Sequence, residues 1–222
     1  MSMRIVPIEP MNIVILAVTD AFGGLCIAGM NDQGEWIRPL GEVDDRFWSQ
    51  ESSGISGETV QTGDVWTVYG TYKKTDEFPN HIEDFHLKNP PVFVKKLNQD
   101  ELLAFLEKNQ ESEETVDQTL HAKGRSLCLY HVPGIRIRYD ERYDKIKANI
   151  PMKKNPKTGD KEYQLKCLKS RALYMANMLE NTPSYVCIGL STATPFDGKE
   201  YPMVVGIHNS QTDRIVGRYP NV

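Results

Sequence analysis

Residues 13–40 hold the pattern that most constrains what this chain can fold into. They read IVILAVTDAFGGLCIAGMNDQGEWIRPL, in which two apolar runs are separated by turn-forming residues and the first run is rich in β-branched side chains. A polar turn follows, in which Gly34 can take the positive φ of a tight hairpin. A third strand begins at Trp36, and Pro39, which has no N–H to donate, is expected to end it. The block therefore predicts an antiparallel β unit.

The rest of the first half predicts one further long strand and a helix. Residues 64–72 alternate as a strand, with a bend or bulge at Gly70. Residues 98–109 predict an amphipathic helix, because apolar side chains recur at helical spacing and acidic residues lie at its start. Residues 73–89 are interpreted as a loop. Residues 107–117 are acidic and poor in large apolar side chains, which indicates a solvated linker and hence a domain boundary.

The second half repeats this β-rich pattern and is predicted to form a second domain. The predicted strands are residues 126–132, 135–139, 145–150, 162–168, 185–190 and 203–207. An amphipathic helix is predicted at residues 170–181. We therefore expect domains at residues 1–115 and 116–222, with a helix near 98–109 in the first and a basic hairpin in the second. The expected fold is mainly β with two short helices.

Length and composition fit a water-soluble protein with room for two cores. A chain of 222 residues can fill two domains of about 100 residues each. No apolar run approaches the roughly 20 residues of a membrane span. The N-terminus lacks the apolar region of a signal peptide, so a cytoplasmic location is expected. The four cysteines lie in apolar, strand-like runs without a Cys-x-x-Cys pair, which favours buried, reduced thiols over metal ligands or disulfides.

Several short motifs, in their order and spacing, resemble one protein family. They are ILAVTDAFGGLCIAGM, GEWIRPL, GDVWTV, FPNHIED and GRSLCLY, and the resemblance extends from residue 12 to about residue 207. The family is the dual OB-containing domain family of bacteria. The resemblance implies two OB-like β-barrels in tandem and a role in nucleic-acid recognition, often in a defence-system setting. It implies no catalytic residue. Residues 19–21 depart from the more basic segment that family members often carry, which argues against a phosphate contact from this loop.

Cations are concentrated in one part of the second half. Residues 134–169 carry eleven Lys and Arg against five Asp and Glu, a local net charge of +6 in a chain whose total is −4. Because strand side chains alternate, many of these cations are expected on the outer faces of three strands. If those strands are neighbours, the cations form one surface of the kind on which OB-folds bind single strands. The alternative is an ordinary solvated sheet face. The predicted binding residues in this region are Arg136, Arg138, Arg142, Lys145, Lys147, Lys153, Lys154 and Lys166.

Aromatic side chains near these cations could provide stacking platforms for bases. Tyr130, Tyr139 and Tyr143 are close in sequence, although the alternation directs Tyr139 to the apolar side of its strand.

Trp36 and Arg38 share one face of a predicted strand, where they are further candidate binding residues, a base-stacking and phosphate-binding pair. Alternatively, Trp36 closes the end of a barrel and Arg38 pairs with Asp44 or Glu35. The sequence favours this structural role, because large aromatic side chains mostly lie in or at the edge of a core.

His81, Glu83 and His86 supply the atoms of a metal site. Because they lie in a predicted loop, their spacing does not establish that they converge, and capping of turns or pairing with lysines is the favoured interpretation. No Gly-x-Ser-x-Gly, P-loop or Gly-x-Gly-x-x-Gly motif occurs.

The sequence therefore predicts a non-catalytic protein that binds single-stranded DNA or RNA on a basic β face. One alternative is a metal-dependent enzyme acting on nucleic acid or nucleotides, with His81, Glu83 and His86 as ligands. A second is an adaptor that binds a partner protein. We expect no cofactor and no membrane association, and the sequence identifies no protein partner.

Overall fold

A computed structural model describes residues 9–21, 24–40, 47–49, 54–55, 58–72, 78–151, 161–179, 181–192 and 197–210. Their secondary structure consists of two large sheets, one small two-stranded sheet and three short helices. The predicted mainly β fold is confirmed, with one more helix than expected. Among the described helices, none has the length and apolar character that crossing a membrane requires.

The first sheet and its small companion are built from the first half of the chain. The strands are β1 (Met11–Ala21), β2 (Gly24–Met30), β3 (Trp36–Leu40), β4 (Gly54–Ile55), β5 (Glu58–Thr59), β6 (Asp64–Val68), β7 (Gly70–Tyr72), β8 (Asp84–Leu87) and β9 (Val92–Lys96). Seven of them form one sheet in the order β7-β8-β3-β2-β1-β6-β9, and β4 pairs with β5. β1, β2 and β3 pair antiparallel in sequence, and Gly34 has a φ of 82° in the turn before β3. The predicted antiparallel unit is confirmed.

The second sheet follows two helices, α1 (Gln99–Asn109) and α2 (Glu113–Leu120), and a third helix lies between its strands. Its elements are β10 (Leu127–Val132), β11 (Arg136–Asp140), β12 (Lys145–Ile150), β13 (Lys161–Leu165), α3 (Leu168–Met175), β14 (Ser184–Leu190) and β15 (Pro202–His208). The strand order is β10-β14-β15-β13-β12-β11, so β11, β12 and β13 are neighbours. All pairs are antiparallel except β13 with β15.

Two predictions about the helices need correction. Residues 107–117 are not a solvated linker, because they contain the end of α1 and the start of α2, which packs on β10 and β14. α2 was not predicted from the composition, because only two of its residues, Val116 and Thr119, are buried. The helix predicted at residues 170–181 occupies Leu168–Met175, since Asn177 just beyond it has a φ of 54°. The predicted division at residue 115 stays a prediction.

The interpretation of residues 73–89 as a loop is wrong at β8, and Pro39 does not end β3. β8 pairs parallel with residues 38–40 of β3, and Pro39 lies opposite Phe85. The proline is tolerated because β2 pairs only with Trp36 and Ile37, so the missing N–H interrupts no ladder on that side. The Pro39 carbonyl accepts a hydrogen bond from Trp48 Nε1 at 2.8 Å.

Gly70, where the sequence predicted a bend or bulge, is the first residue of β7, and Tyr69 separates it from β6. The backbone of β8 approaches so closely that a Cβ at this position would overlap the carbonyl oxygen of His86. Only glycine therefore allows β7 to pair with β8 at this point.

The two sheets share a core. One cluster of buried side chains contains Leu16 and Val14 of β1 together with Leu129, Cys187 and Val205 of the second sheet. β15 passes close to β1 here, since a Cβ at Gly206 would lie 2.5 Å from the Leu16 carbonyl oxygen. His208 Nε2 lies 2.8 Å from the same oxygen, where it can donate a hydrogen bond. The sheets are therefore joined by direct contacts.

The cysteines give the first prediction. All four are free, and Cys128, Cys167 and Cys187 are buried whereas Cys26 is partly exposed. Burial is the main cause that raises the pKa of the Cys128 thiol from 9.0 to about 12, so it stays protonated and unreactive near pH 8. We expect iodoacetamide to modify Cys26 of the native protein at least about 10-fold faster than Cys128, as peptide mass spectrometry would measure. Equal rates that persist below the unfolding transition would contradict the burial of Cys128.

Candidate nucleic-acid interface

The neighbouring strands β11 and β12 bring four of the predicted cations together. The antiparallel register sets Arg138 opposite Lys147, and two residues earlier on β11 it sets Arg136 opposite Asn149. Lys145 lies opposite Asp140 at the other end of the pair. Because residues two apart on a strand share a face, these four cations lie on one face of the sheet. We call this surface, defined by Arg136, Arg138, Lys145 and Lys147, the basic face.

Two of the four cations are held by carboxylates on the same face. Arg138 donates two hydrogen bonds to Glu162 of β13, at 2.6 and 2.5 Å. Lys147 Nζ lies 2.6 Å from Asp140 Oδ2. The Arg138 guanidinium extends across β12 to Glu162, and the two hydrogen bonds fix the position of both side chains.

These ion pairs lower the pKa of both carboxylates. The hydrogen bond from Arg138 is the main cause that lowers the pKa of Glu162. The hydrogen bond from Lys147 does the same for the pKa of Asp140. Both carboxylates are therefore ionised at neutral pH and reduce the positive potential of the basic face.

The other two cations are available to a ligand. Arg136 and Lys145 are exposed, and neither has an ion-pair or hydrogen-bond partner among the residues that the structure describes. Arg142, in the turn between β11 and β12, is also exposed, and its guanidinium lies 5.1 Å from the centre of the Tyr143 ring. Lys147 Nζ lies 5.2 Å from the same ring. Arg142 and Lys147 therefore both lie close to the ring of Tyr143.

Two of the three predicted stacking residues are on the surface. Tyr143 is 54% exposed and Tyr139 is 46% exposed. The Tyr139 hydroxyl donates to Asp144, which orients the ring although the alternation had directed it to the apolar side. Tyr130 is partly buried and packs against the core of the second sheet. Tyr139 follows Arg138 directly and so lies on the opposite face of β11, which leaves Tyr143 as the candidate platform on the basic face.

The structure describes one of the three remaining predicted cations, Lys166. Lys153 and Lys154 fall outside the described residues. Lys166 follows β13, where its backbone N–H donates to the Val204 carbonyl, and it lines a cavity between the two sheets. It is not part of the basic face.

Trp36 and Arg38 are buried, with 4% and 3% of their surface exposed. Trp36 Nε1 donates to Glu111 at 3.2 Å. This burial leaves neither a ring face nor a guanidinium on the outer surface for a strand of nucleic acid. The ion pair expected with Glu35 or Asp44 is replaced by one with Asp84, at 2.7 Å; Asp44 lies outside the described residues.

Arg38 is the centre of a buried polar cluster that joins the two sheets. Its Nη1 donates to Asp84 Oδ1 and to His81 Nδ1, both at 2.7 Å, and its Nη2 donates to Ser126 Oγ at 2.8 Å. Ser126 precedes β10 of the second sheet, so Arg38 joins the two sheets. Burial alone would lower the pKa of Arg38, but the nearby Cys26, Asp84 and Glu83 outweigh it and raise that pKa.

His81 and Glu83 complete this cluster. Because an arginine N–H can only donate, His81 accepts through Nδ1 and carries its proton on Nε2, which lies 2.9 Å from Glu200. Glu83 accepts from the backbone N–H groups of Ser126 and Leu127 at 3.0 and 3.1 Å.

The contacts of His81 and Glu83 give no support to a metal site formed by His81, Glu83 and His86. His81 and Glu83 are engaged with Arg38, Glu200 and the start of β10, and His86 lies on β8. Within the described ranges, no group of three or more His, Cys, Asp or Glu side chains is arranged to hold a metal ion. The sequence did not reveal the buried cluster, because its members come from segments that are not adjacent in the chain.

Comparisons with known proteins give a family and little else. No curated protein matches the chain. A solved structure described as "Molecular basis for abrogation of activation of pro-inflammatory cytokines" is 8% identical, with a TM-score of 0.33 and 92% of each chain covered, a similarity too low to support any argument. The model of the dual OB-containing domain matches residues 11–207. With its two sheets and that match across most of its length, the chain belongs to the dual OB-containing domain family.

Proposed function

We propose that this chain is a non-catalytic nucleic-acid-binding protein that holds single-stranded DNA or RNA on its basic face. The dual OB-containing domain is compatible with nucleic-acid binding. The observation that supports the proposal most is the register of β11 and β12, which gathers four cations beside the exposed ring of Tyr143. OB-folds bind single strands with this combination of cationic groove and aromatic platforms.

The basic face has separate groups for phosphates and for bases. Arg136, Lys145 and Arg142 are exposed cations that can neutralise phosphates. Tyr143 presents a ring on which a base can stack, a contact worth roughly 1–3 kcal/mol. Lys153 and Lys154, which belong to the predicted hairpin between β12 and β13, are included in the proposal on charge alone.

The alternatives have less support. The contacts of His81 and Glu83 give no observation in favour of a metal-dependent enzyme. An adaptor role would require a partner protein, and the unequal distribution of charge favours a polyanion instead. A cytoplasmic location and a place in a bacterial defence system belong to the same proposal but are not needed to test it.

Fluorescence anisotropy with labelled single strands of about 20 nucleotides, DNA and RNA, tests the proposal. The wild-type affinity should fall with salt, with a logarithmic slope of about −2 to −3 for three or four neutralised phosphates. The Arg136→Glu/Arg138→Glu variant should bind at least about 10-fold more weakly with a shallower slope. The control variant Lys123→Glu/Lys199→Glu makes the same change in charge at exposed positions outside β11 and β12 and should keep most of the affinity. Equal, negligible binding by all three proteins would rule out the proposal.

A further inference from the structure

A cavity of about 300 Å³ lies between the two sheets and is separate from the basic face. Its walls come from both domains: Ala17 and Ala28 belong to the first sheet, and Leu190 and Val205 to the second. Ligand sites favour such junctions between domains, and their volumes run from roughly 300 to 1,000 Å³. The cavity can therefore hold one small molecule and not a length of oligonucleotide.

Direct contacts between the sheets hold the cavity open. Thr19 of β1 forms an isolated bridge with Cys167, the residue after Lys166. Asp20 accepts from Arg171 of α3 at 3.1 and 3.2 Å. Because these contacts tie the two walls together, binding would require little rearrangement of the walls.

The lining combines an apolar surface with a polar end. Small and aliphatic side chains form most of it, which suits a flat, weakly polar ring. Ser191 and Thr192, at the end of β14, also line the cavity. The Ser191 Oγ accepts from the Tyr201 N–H at 2.9 Å, so its own hydrogen is left to donate.

The charges of the lining favour an anion. Asp20 is neutralised by Arg171, and Arg38 by Asp84. Lys166 has no ion-pair or hydrogen-bond partner for its amino group among the described residues, so it contributes the uncompensated charge. Arg38 uses three of its five N–H donors on Asp84, His81 and Ser126, which leaves two for a ligand.

We propose that this cavity binds one nucleoside monophosphate, with the base among the aliphatic side chains and the phosphate at Lys166, Ser191 and Thr192. The proposal goes beyond the basic face, because the two sites share no residue. The nucleotide can be free or can be the 5′-phosphorylated end of a single strand. The chemistry is the same in both cases, and competition separates them.

Isothermal titration with AMP, adenosine and inorganic phosphate tests the site in the full-length protein. AMP should bind, and adenosine and phosphate should each bind at least about 10-fold more weakly, since each makes only part of the contacts. Lys166→Gln should weaken AMP binding by about 10-fold or more. Thr192→Trp, which adds a large side chain to the lining, should abolish it. Near-ultraviolet circular dichroism checks that both variants are folded.

The Arg136→Glu/Arg138→Glu variant separates this proposal from the previous one. It should bind AMP within about 2-fold of the wild type, even where it no longer binds an oligonucleotide. Displacement of AMP by a 5′-phosphorylated strand, but not by the same strand without the phosphate, would identify a strand end as the ligand. If the 5′-phosphorylated strand does not displace AMP, the free nucleotide is the ligand. No heat of AMP binding at about 1 mM, or binding that folded Lys166→Gln retains in full, would overturn the proposal.

Discussion

Replacing Arg38 with methionine should lower the free energy of unfolding by about 3–5 kcal/mol, the loss expected when one partner of a buried ion pair is removed. Arg38 is 3% exposed, and its guanidinium bonds to Asp84, His81 and Ser126. Methionine fills similar volume but donates nothing, so the Asp84 carboxylate loses its buried counter-ion. Urea unfolding followed by tryptophan fluorescence would measure the loss, because Trp36 and Trp66 are buried in the first sheet and Trp48 is buried against it.

A double variant shows whether the charge itself is responsible. Arg38→Met/Asp84→Leu removes both charges, so it should be more stable than Arg38→Met alone by about 1 kcal/mol or more, despite carrying a second substitution in the core. The matched control is Arg136→Met, an exposed arginine on the second sheet, which should change stability by no more than about 0.5 kcal/mol. A small loss for Arg38→Met, similar to that control, would mean that the cluster contributes little to stability.

The Arg38 cluster also marks where sequence reasoning fails. Arg38 and Asp84 are brought together by the parallel pairing of β3 with β8. A proline in β3 and charged residues around β8 made these segments look like the end of a strand and a loop. Local patterns report which residues alternate, but they do not report which distant strands pair. The cluster could therefore be recovered only from the topology.

The basic face was predictable because it depends on neighbouring strands. β11 and β12 are joined by a short turn, so alternation along each strand was enough to assign Arg136, Arg138, Lys145 and Lys147 to one face. The carboxylates were harder to assign. The sequence shows that Asp140 and Glu162 reduce the local net charge. It does not show that they bind Lys147 and Arg138, because those contacts depend on the strand register. Lys166 is not part of the basic face, because its strand ends at Leu165 and the alternation of β13 does not extend to it.

These carboxylates lead to a prediction of increased affinity. In the Asp140→Asn/Glu162→Gln variant, Lys147 and Arg138 lose their ionic partners while the side chains keep nearly the same shape. If each released cation neutralises one phosphate, the logarithmic salt slope should become steeper by about 1.4, since each phosphate on a single strand contributes about 0.7. The affinity for a single strand at low salt should rise by about 10-fold or more. Anisotropy titrations over a series of salt concentrations would measure both quantities.

A general gain of positive charge would also increase affinity, so the control must change net charge equally. Glu107→Gln/Glu114→Gln removes two exposed carboxylates on α1 and α2, outside the basic face. It should raise the affinity at low salt only slightly and leave the slope close to that of the wild type, because it adds no cation at the bound phosphates. If both double variants behave alike, the strand responds to the overall charge of the protein and not to Arg138 and Lys147. A steeper slope in the first variant alone would assign the phosphate contacts to those two side chains.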